Sequence, residues 1–422
     1  MEKEKKRLLI LGSIPYLIDA VQKAQKRGIE VYVADNHEDG PAKAYADKPV
    51  TVDVTDIEAL KELCVREKID GVFTGYADSL LPYYARLCEE MHYPAYGKYE
   101  NFVIMTNKKK FKELCREYNV PTIPEYTMED ALNGNVEFPV VVKPIDSAGS
   151  RGITVCHNHE ELKKGIDFAL SYSPSKQILI ERYMQGNEIV GYYYFQNGNP
   201  VFALLCDRYT DKYSDTLAPL PIIYKYPSIH TQEFIDAADK ELKNMFRSIG
   251  MENGPLFLQG FFENGKPYFY EPGHRLAGAR EHCILNDTVG VNSEDMLLNF
   301  ALTGKLTDDN LEEKCDPFLK GKQCVKLSPS LKRGTITKIA GAEEMRAHPN
   351  VKFLHLNHKV GDTITSKQEG TLFQLAYRAY IVADSFDEML ENIEMVQNTI
   401  HFYDENGEDM IISKVDTNRI VR

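Results

Sequence analysis

Apolar runs alternate with amphipathic stretches along the first 75 residues of the chain. The run LLILG at 8–12 predicts a buried strand, and the stretch that follows predicts a helix reaching Arg27 and ended by Gly28. Three further strands are predicted at IEVYVAD, VTVDVTD and IDGVFTG, with a helix over 57–68 before the last of them. Strand–helix–strand units of this length predict a parallel sheet with helices on both faces.

The pattern changes after residue 98. One helix with basic residues near its start is predicted over 101–120, and strands are predicted at 140–142, 153–156 and 177–184 around a helix at 159–172. Two hairpins are predicted, with turns at 196–199 and 263–265, and a helix over 231–249 lies between them. The polar stretch 207–228 predicts a long functional loop. Short strands, turns and one helix over 386–400 are predicted for the remainder.

Composition narrows the class of protein. The chain has 422 residues, which exceeds one hydrophobic core and suggests about two to four domains. Its net charge of −13 argues against nucleic acid or an anionic membrane as the main partner, because phosphate binding needs a basic surface. No apolar run has the length of a signal-peptide core or a membrane span. The eight cysteines form no CxxC pair, which favours reduced, buried thiols in a cytoplasmic enzyme.

The stretch VVVKPIDSAGSRGITVC at 140–156 carries the first candidate chemistry. Lys143 ends an apolar strand, and a loop of small residues follows it. A lysine in that place can meet nucleotide phosphates as a point charge, and the loop offers backbone N–H groups to the same phosphates. A surface hairpin would show the same sequence pattern, so features elsewhere in the chain have to distinguish it from a phosphate-binding stretch. At the first strand–helix turn, Gly12 and Ser13 lack a GxGxxG pattern, which disfavours a dinucleotide site there.

Two pairs of polar residues supply those features. Glu181 and Glu188 flank a predicted turn, where one carboxylate can approach an adenine and the other a ribose; two solvated carboxylates are the alternative. Gln259 and Glu271 lie on successive strands of a predicted hairpin, which is a natural cradle for Mg²⁺ bound to phosphate oxygens. Arg275 and Arg280 lie in the glycine-bearing segment that follows the second hairpin, where they could clamp a transferring phosphoryl group.

In this order the motifs resemble the ATP-grasp superfamily, most specifically at FPVVVKPIDSAGSRGITVC, ILIERYMQGNEI and LQGFFENGKPYFYEPGHR. The resemblance implies ATP as cofactor with Mg²⁺, or Mn²⁺ as an alternative ion. It implies nucleotide contacts from Lys108, Lys143, the loop residues Ser147, Gly149, Ser150 and Gly152, the adenine connector Glu181, Arg182, Tyr183 and Met184, and the ribose ligand Glu188. It further implies Gln259 and Glu271 as metal ligands and Arg275 and Arg280 as catalytic residues.

The chain departs from the family pattern at the metal. The family usually shows Glu-x-Asn-x-Arg, whereas Gly273 stands here at the position of the asparagine. Position 259 carries a neutral glutamine, as in the carbamoyl-phosphate synthase branch, where many members have a carboxylate. Fewer anionic ligands imply weaker Mg²⁺ binding. His274, Glu281 or a water is expected to substitute for the missing ligand.

The C-terminal stretches RGTITKIAGAEEMRAHPNVKFLHLNHKVGDTI and LFQLAYRAYIVADSFDEMLENIEMV resemble the C-terminal domain of L-amino acid ligases and, more distantly, the closing domain of biotin carboxylases. The implied fold is mixed α/β and α+β. Its predicted parts are an N-terminal parallel α/β domain (1–97), a two-lobed ATP-grasp domain (98–325) with a lid at about 121–183, and a small α+β domain (326–422).

The reaction expected from this resemblance is carboxylate–amine ligation through an acyl phosphate, with release of ADP and phosphate. The expected partners are a small carboxylate and a small amine of amino-acid type, and the protein is expected to be a cytoplasmic homodimer. Substrate contacts are expected from residues 76–80, 207–226 and 274–282. A bicarbonate-dependent carboxylase and an ATP-binding regulator with a decayed metal site are the alternatives.

Overall fold

The first sheet of the fold is parallel, as the alternating N-terminal pattern predicts. The structure, a computed structural model, describes residues 5–145, 152–211 and 220–422. Its first four strands are β1 (Arg7–Leu11), β2 (Glu30–Asp35), β3 (Lys48–Thr51) and β4 (Gly71–Thr74), with helices α1 (Leu17–Lys26), α2 (Ile57–Glu67) and α3 (Leu81–Met91). They form one sheet in the order β3-β2-β1-β4, so the chain reverses its winding direction between β1 and β4.

The single helix predicted over 101–120 is wrong, because two helices occupy this stretch. They are α4 (Tyr99–Thr106) and α5 (Lys108–Glu117). Asn107 between them has extended backbone angles, and its side chain accepts hydrogen bonds from the backbone N–H groups of Lys109 and Lys110. An asparagine that satisfies these free N–H groups starts a new helix, so Lys108 stands at the first position of α5.

The second sheet is a small lobe. Its elements are β5 (Glu125–Tyr126), α6 (Met128–Asn133), β6 (Val140–Pro144), β7 (Thr154–Cys156), α7 (His159–Tyr172) and β8 (Ile178–Arg182). The strands lie in the order β5-β8-β6-β7, and the buried side chains of Val142, Leu162 and Ile180 form a core separate from the rest of the molecule. These strands fall within the range predicted for a lid. The loop residues Ser147, Gly149 and Ser150 lie outside the described residues.

The third sheet has eight strands and runs through the remaining chain. Its elements up to residue 314 are β9 (Asn187–Gln196), β10 (Asn199–Asp211), β11 (Leu220–Tyr226), α8 (Thr231–Phe234), α9 (Lys240–Ser248), β12 (Gly254–Glu263), β13 (Lys266–Gly273), α10 (His282–Thr288), α11 (Ser293–Thr303) and α12 (Leu311–Lys314). The two predicted hairpins, β9–β10 and β12–β13, are confirmed. A π-helical turn joins α8 to α9.

The C-terminal part completes this sheet. It contains β14 (Gln323–Leu327), β15 (Gly334–Thr335), β16 (Lys338–Ala340), α13 (Ala342–Ala347), β17 (Val351–Leu356), β18 (Thr363–Ile364), β19 (Tyr377–Ala383), α14 (Phe386–Thr399) and β20 (His401–Tyr403). The strand order is β13-β12-β9-β10-β11-β14-β19-β17, while β15–β18 and β16–β20 form two small separate ribbons. Residue 325, the predicted domain limit, lies inside β14, so the sheet itself is continuous across it; the limits remain predictions.

The long loop predicted over 207–228 is wrong at both of its ends. Strand β10 continues to Asp211, and β11 begins at Leu220 and pairs with it. The polar residues that suggested a loop are paired: the half-buried Arg208 contacts Glu188, and the buried Asp207 accepts hydrogen bonds from the hydroxyl of Ser228 and from a backbone N–H. A strand that buries polar side chains on both faces has no apolar–polar alternation for a sequence pattern to detect.

The two faces of the large sheet pack against different parts of the molecule. Tyr192, Tyr226 and Phe257 point into the same core as the N-terminal sheet. The opposite face packs against α5 and α9 at one end and against α14 at the other. Side chains on the first face therefore lie between the large sheet and the loops at the carboxyl ends of β1 and β4. Among the described residues, no helix has the length and apolarity needed to cross a membrane.

Gly71 tests the contact between β4 and α11. A Cβ at Gly71 would lie 1.9 Å from the carbonyl oxygen of Ala301, so either the strand or the helix has to move. We expect Gly71→Ala to lower the free energy of unfolding by at least about 2 kcal/mol, seen as a lower Tm. Gly278→Ala is the matched control, because a Cβ there meets no atom within 4 Å. An unchanged Tm in Gly71→Ala would contradict this packing.

Glu281 gives the fold a pH dependence. Burial raises the pKa of Glu281 to about 7, and its carboxylate accepts hydrogen bonds only from the hydroxyls of Tyr194 and Ser293 among the described residues. Because the folded-state pKa exceeds the unfolded value, this stabilisation is complete below about pH 4 and is lost as pH rises through 7. We expect the free energy of unfolding of Glu281→Gln to exceed that of the wild type by about 1 kcal/mol at pH 5 and by the order of 3 kcal/mol at pH 8.5.

Thermal unfolding at the two pH values measures this difference. Glu252→Gln, at an exposed glutamate paired with Lys98, is the control and should follow the wild type at both. A Glu281→Gln protein with the same Tm difference from wild type at pH 5 and 8.5 would show that Glu281 does not titrate in this range.

Candidate active site

A buried cluster of charges joins the small lobe to α5. The ammonium of Lys143 on β6 lies 2.6 Å from one oxygen of Glu181 on β8, and the ammonium of Lys112 lies 2.5 Å from the other. Lys112 also contacts Glu125 at 2.5 Å. All three members of the central triad are almost fully buried. Charges this deep are stable only when paired, so Glu181 holds the head group of Lys143 in one place.

The pKa values of the triad reflect the same balance. Burial lowers the pKa of Lys143 and is opposed by the neighbouring charge of Glu181. Burial acts to raise the pKa of Glu181, but the charges of Lys143 and Lys112 outweigh it and hold that pKa below its usual range. The carboxylate is therefore ionised at neutral pH. The sequence did not single out Lys112, although it follows Lys108 by four residues on α5 and so shares its helix face.

The predicted metal pair is brought together. Gln259 on β12 and Glu271 on β13 are direct cross-strand partners, so their side chains share one face of the sheet. The carboxylate of Glu271 is 42% exposed, and the ammonium of Lys108 lies 3.8 Å from it. Lys108, at the start of α5, thus faces the metal pair from the helix that also carries Lys112. The lysines predicted to contact nucleotide phosphates and the residues predicted to hold the metal therefore lie at one edge of the sheet.

Two of the three expected substitutes for the missing asparagine, His274 and Glu281, are wrong. His274 is fully buried beside Tyr96 and Phe102, and its ring faces the backbone oxygen of Asn253 at 3.0 Å. Burial lowers the pKa of His274 to about 4, so the ring is neutral. Glu281 contacts Tyr194 and the start of α11 instead of β13. Within the described ranges, no group of three or more His, Cys, Asp or Glu side chains could hold a metal.

The packing around position 273 explains why this position is a glycine. A Cβ at this position would lie 2.3 Å from the ring of Phe257, its cross-strand partner, and the guanidinium of Arg275 covers that ring at 4.9 Å. An asparagine would have to displace both side chains. The predicted metal site therefore offers two protein ligands, one carboxylate and one amide. That number suits Mg²⁺ carried by nucleotide phosphates, which usually retains waters and takes one or two carboxylates from the protein.

Glu188 belongs to a second polar group on the same face of the large sheet. Its Oε1 accepts a hydrogen bond from the hydroxyl of Tyr270 at 2.7 Å and contacts the guanidinium of Arg208. Both of these contacts use one carboxylate oxygen, and Oε2 accepts no hydrogen bond from the residues that the structure describes. The ammonium of Lys143 lies 5.6 Å from the centre of the Tyr270 ring, which places Glu188 close to the triad. The sequence interpretation did not single out Arg208 or Tyr270: Arg208 lies in the stretch predicted to be a loop, and Tyr270 precedes Glu271 in a motif stretch without being one of its expected ligand positions.

The connector residues have mixed positions. The guanidinium of Arg182 pairs with Glu263 at 2.5 Å, in the turn between β12 and β13, and does not face the triad. The other oxygen of Glu263 accepts the backbone N–H of Gln185 at 2.9 Å, so one carboxylate ties the small lobe to the large sheet. Tyr183 is 40% exposed, whereas Met184 is buried. Gly152, at the end of the phosphate loop, is buried as well.

The two predicted arginines contact different partners. Arg275 pairs with Asp78 at 2.5 Å, in the turn after β4, and so lies between the metal pair's strand and the N-terminal sheet. Arg280 pairs with Asp19 on α1, and its guanidinium lies 4.7 Å from the ring centre of Phe353 on β17. Arg275 therefore stands near the candidate site, and Arg280 lies at the junction of α1 with the C-terminal strands.

Known proteins share this architecture. A family model described as an ATP-grasp domain matches residues 136–280, and one described as a PylC-like N-terminal domain matches residues 8–92. The solved structure of an L-amino acid ligase from Bacillus licheniformis is similar with a TM-score of 0.77 at 20% identity, covering 96% of this chain and 100% of that one.

Two further solved structures are similar over comparable lengths. A phosphoribosylglycinamide synthetase from Anaerococcus prevotii has a TM-score of 0.74 at 16% identity, covering 95% of this chain and 100% of that one. A biotin carboxylase from Campylobacter jejuni, in complex with β,γ-ATP, has a TM-score of 0.75 at 17% identity, covering 97% and 93%. At such identities the likeness concerns the fold. The segment that matches the ATP-grasp model holds Lys143 and Glu181 of the buried triad, so residues 136–280 form an ATP-grasp domain, preceded by a segment that matches a PylC-like N-terminal domain.

Proposed function

We propose that the protein is an ATP-dependent carboxylate–amine ligase that releases ADP and phosphate. The observation that carries the proposal is the position of Lys108, which stands 3.8 Å from Glu271 on the same helix face as Lys112, a member of the buried triad. Two of the similar solved structures bear the names of a ligase and a synthetase, which supports this class of reaction.

The nucleotide would lie between the small lobe and the large sheet. Lys143, held by Glu181, and Lys108 would contact the phosphates as point charges. The Oε2 of Glu188 would accept the ribose hydroxyls, and the backbone of the connector 181–184 would meet the adenine edge. Glu271 and Gln259 would hold Mg²⁺ or Mn²⁺ together with the phosphate oxygens, and the ion supplies charge neutralisation at the transferring phosphoryl group.

The proposed reaction has two steps. A carboxylate oxygen of the substrate attacks the γ-phosphorus, the bond to the bridging oxygen breaks, and ADP leaves. An amine then attacks the acyl carbon, phosphate leaves, and the amine loses a proton to give the amide. Arg275, which now pairs with Asp78, would neutralise charge on the transferring group. Arg280 would act on a substrate only if it left Asp19, so its catalytic role rests on the family resemblance alone.

A second candidate function is an ATP-binding regulator without ligase activity. The observation that favours it is the packing of Phe257 against Gly273, which closes the position of the third ligand. The carboxylase alternative rests on the shared fold with biotin carboxylase. A screen of phosphate release across carboxylate and amine pairs, with product masses, separates the three. Ligation gives phosphate release that needs both substrates, carboxylation needs bicarbonate, and a regulator binds ATP and releases no phosphate with any pair.

Lys143 is the first residue to test. We expect Lys143→Met to lower ATP turnover by at least about a hundredfold, because it removes a positioned charge from the phosphates and leaves Glu181 with Lys112 alone. The measurements are phosphate release and ATP affinity, with circular dichroism to check the fold. Lys164→Met, at an exposed lysine of α7, is the control and should behave as wild type. Unchanged turnover in a folded Lys143→Met protein would leave the stretch as a structural hairpin.

Glu271 tests the metal pair. It is the one carboxylate at the two ligand positions, so Glu271→Gln should abolish nearly all turnover while ATP binding weakens less. Titration of phosphate release with Mg²⁺ measures this, with Glu113→Gln, an exposed glutamate of α5, as the control. Because Phe257 fills the space, Gly273→Asn should lower Tm rather than improve Mg²⁺ use. Wild-type activity of Glu271→Gln at low Mg²⁺ would exclude this metal site.

A further inference from the structure

A row of polar and aromatic side chains crosses the large sheet. Cross-strand pairing links Glu188 to Arg208, Arg208 to Tyr224, Tyr224 to Lys326, and Lys326 to Tyr380. Direct partners in a sheet lie on the same face, so the row continues from the proposed ribose ligand into the C-terminal strands. This is the face that packs toward the N-terminal sheet.

Lys326 is a buried basic side chain without an acidic partner among the described residues. It is 3% exposed, and its ammonium lies 4.4 Å from the centre of the Tyr224 ring. Among the described residues it makes no ion pair within 4 Å, and Glu188, the one carboxylate of the row, is occupied by Arg208. Burial, followed by the nearby charges of Arg378 and Arg208, holds the pKa of Lys326 well below its usual range.

Arg378 adds a second buried charge next to it. It lies on β19 two residues from Tyr380, hence on the same face as Lys326, and it is 6% exposed. Its one hydrogen bond within the described ranges goes to the side-chain oxygen of Asn357 at 3.1 Å, and its buried Nε has no partner there. Two residues beyond Lys326, the hydroxyl of Ser328 is also buried and unpartnered.

The cluster formed by Lys326, Arg378 and Ser328 lies beside the carboxyl ends of strands β1 and β4, where parallel sheets commonly bind ligands. The guanidinium of Arg378 lies 4.6 Å from the ring centre of Tyr16, in the turn after β1, and that ring meets Tyr76, in the turn after β4. These turns flank the point where the winding of the N-terminal sheet reverses, and ligands bind outside the carboxyl ends of strands at such a point. Tyr16 is partly exposed, so the cluster borders solvent.

Arg378, on the neighbouring strand, repels the charged form of Lys326, and burial deprives that charged form of its hydration. Such an arrangement costs free energy unless an anion offsets it. The described part of the chain supplies no carboxylate for Lys326 or Arg378, whereas Lys112, Lys143 and Arg208 each have one. The missing counter-charge is therefore expected to come from a ligand.

Strand order indicates which part of a ligand this would be. Lys326 on β14 lies five strand positions from Glu271 on β13, roughly 24 Å along the sheet at the usual strand spacing. A carboxylate that accepts the γ-phosphoryl group has to lie beside Glu271 and Gln259. An anion at Lys326 and Arg378 is then a different group of the substrate, at its far end.

We propose that Lys326 and Arg378 bind a second anionic group of the carboxylate substrate, so that the enzyme acts on acids with two separated negative charges. This rests on the proposed ligase function for the first of the two groups. The second group is a carboxylate or a phosphate, which share the same recognition by ammonium and guanidinium. Lys326 and Arg378 select the substrate in this proposal and take no part in phosphoryl transfer.

Binding of matched ligands tests the proposal without requiring turnover. The probes are extended α,ω-dicarboxylates of ten to sixteen carbons with their monoamides, and ω-phosphonocarboxylates of the same lengths with the matching monocarboxylates, measured by calorimetry with ADP and Mg²⁺ present. We expect at least one dianion to bind at least tenfold more tightly than its singly charged counterpart. Lys326→Met should reduce that ratio to about one. The dicarboxylate and phosphonate arms show which anionic group is preferred.

Controls keep the outcome clear. Lys338→Met removes an exposed lysine that also lies over a tyrosine ring, Tyr403, and it should keep the wild-type ratio. Arg378→Gln gives the same test should Lys326→Met not fold. The proposal is overturned if no dianion exceeds its counterpart in wild type, or if a folded Lys326→Met or Arg378→Gln protein keeps the ratio. Because Glu271→Gln should preserve the ratio while losing turnover, failure of the ligase proposal is seen separately.

Discussion

The need to pair buried charge determines how the candidate site is assembled. Lys143 and Lys112 share the carboxylate of Glu181 at 2.6 and 2.5 Å, in surroundings that exclude water. Breaking such a group leaves an uncompensated charge, which typically costs 3–5 kcal/mol by the order of magnitude known for buried pairs, so about that much holds the arrangement in place. The three residues belong to α5, β6 and β8. Their pairing thus couples the small lobe to the helix that presents Lys108 to the large sheet.

The large sheet supplies the other half of the site. Its register sets Gln259 against Glu271 and extends a polar row from Glu188 to Lys326, over strands that are far apart in the chain. The same sheet takes strands from both sides of the predicted limit at residue 325. A substrate lying on this face would contact the ATP-grasp segment and the C-terminal strands together. Specificity and chemistry are then separated by distance along a single sheet.

The contrast between satisfied and unsatisfied charges separates the two kinds of site. The two ammonium groups of the triad are paired with the carboxylates of Glu181 and Glu125, so the triad is organised before any nucleotide binds. Lys326 and Arg378 lack such a partner among the described residues and are organised by the sheet alone. The metal pair lies between these cases, with one exposed carboxylate and a lysine at 3.8 Å that a phosphate could draw away. Each part of the site is thereby suited to a ligand of different charge.

Much of this protein could be predicted from local sequence. The alternation of apolar runs indicates the parallel N-terminal sheet, and the asparagine–glycine turns indicate both hairpins, because backbone periodicity and turn chemistry act over a few residues. The facing of Gln259 and Glu271 does not follow from the turn alone, because a bulge between Gln259 and Gly260 shifts the register; without it Gln259 would pair with Tyr270. The prediction of a single helix over 101–120 was wrong because Asn107 caps a second helix in the middle of a continuous helical pattern.

Only the tertiary structure could show which polar residues are buried and with what. The sequence pattern of residues 207–211 and 220–226 predicts a loop, because charged side chains interrupt the apolar–polar alternation that identifies a strand. The sequence likewise suggested His274 and Glu281 as metal ligands, but the fold turns both into the core, and it closes position 273 with the ring of Phe257. Residue type and spacing indicated the stretches that resemble the ATP-grasp family, and the family model matches residues 136–280. Long-range packing decided which charges have partners, because the free energy of a buried charge depends on neighbours that sequence distance does not reveal.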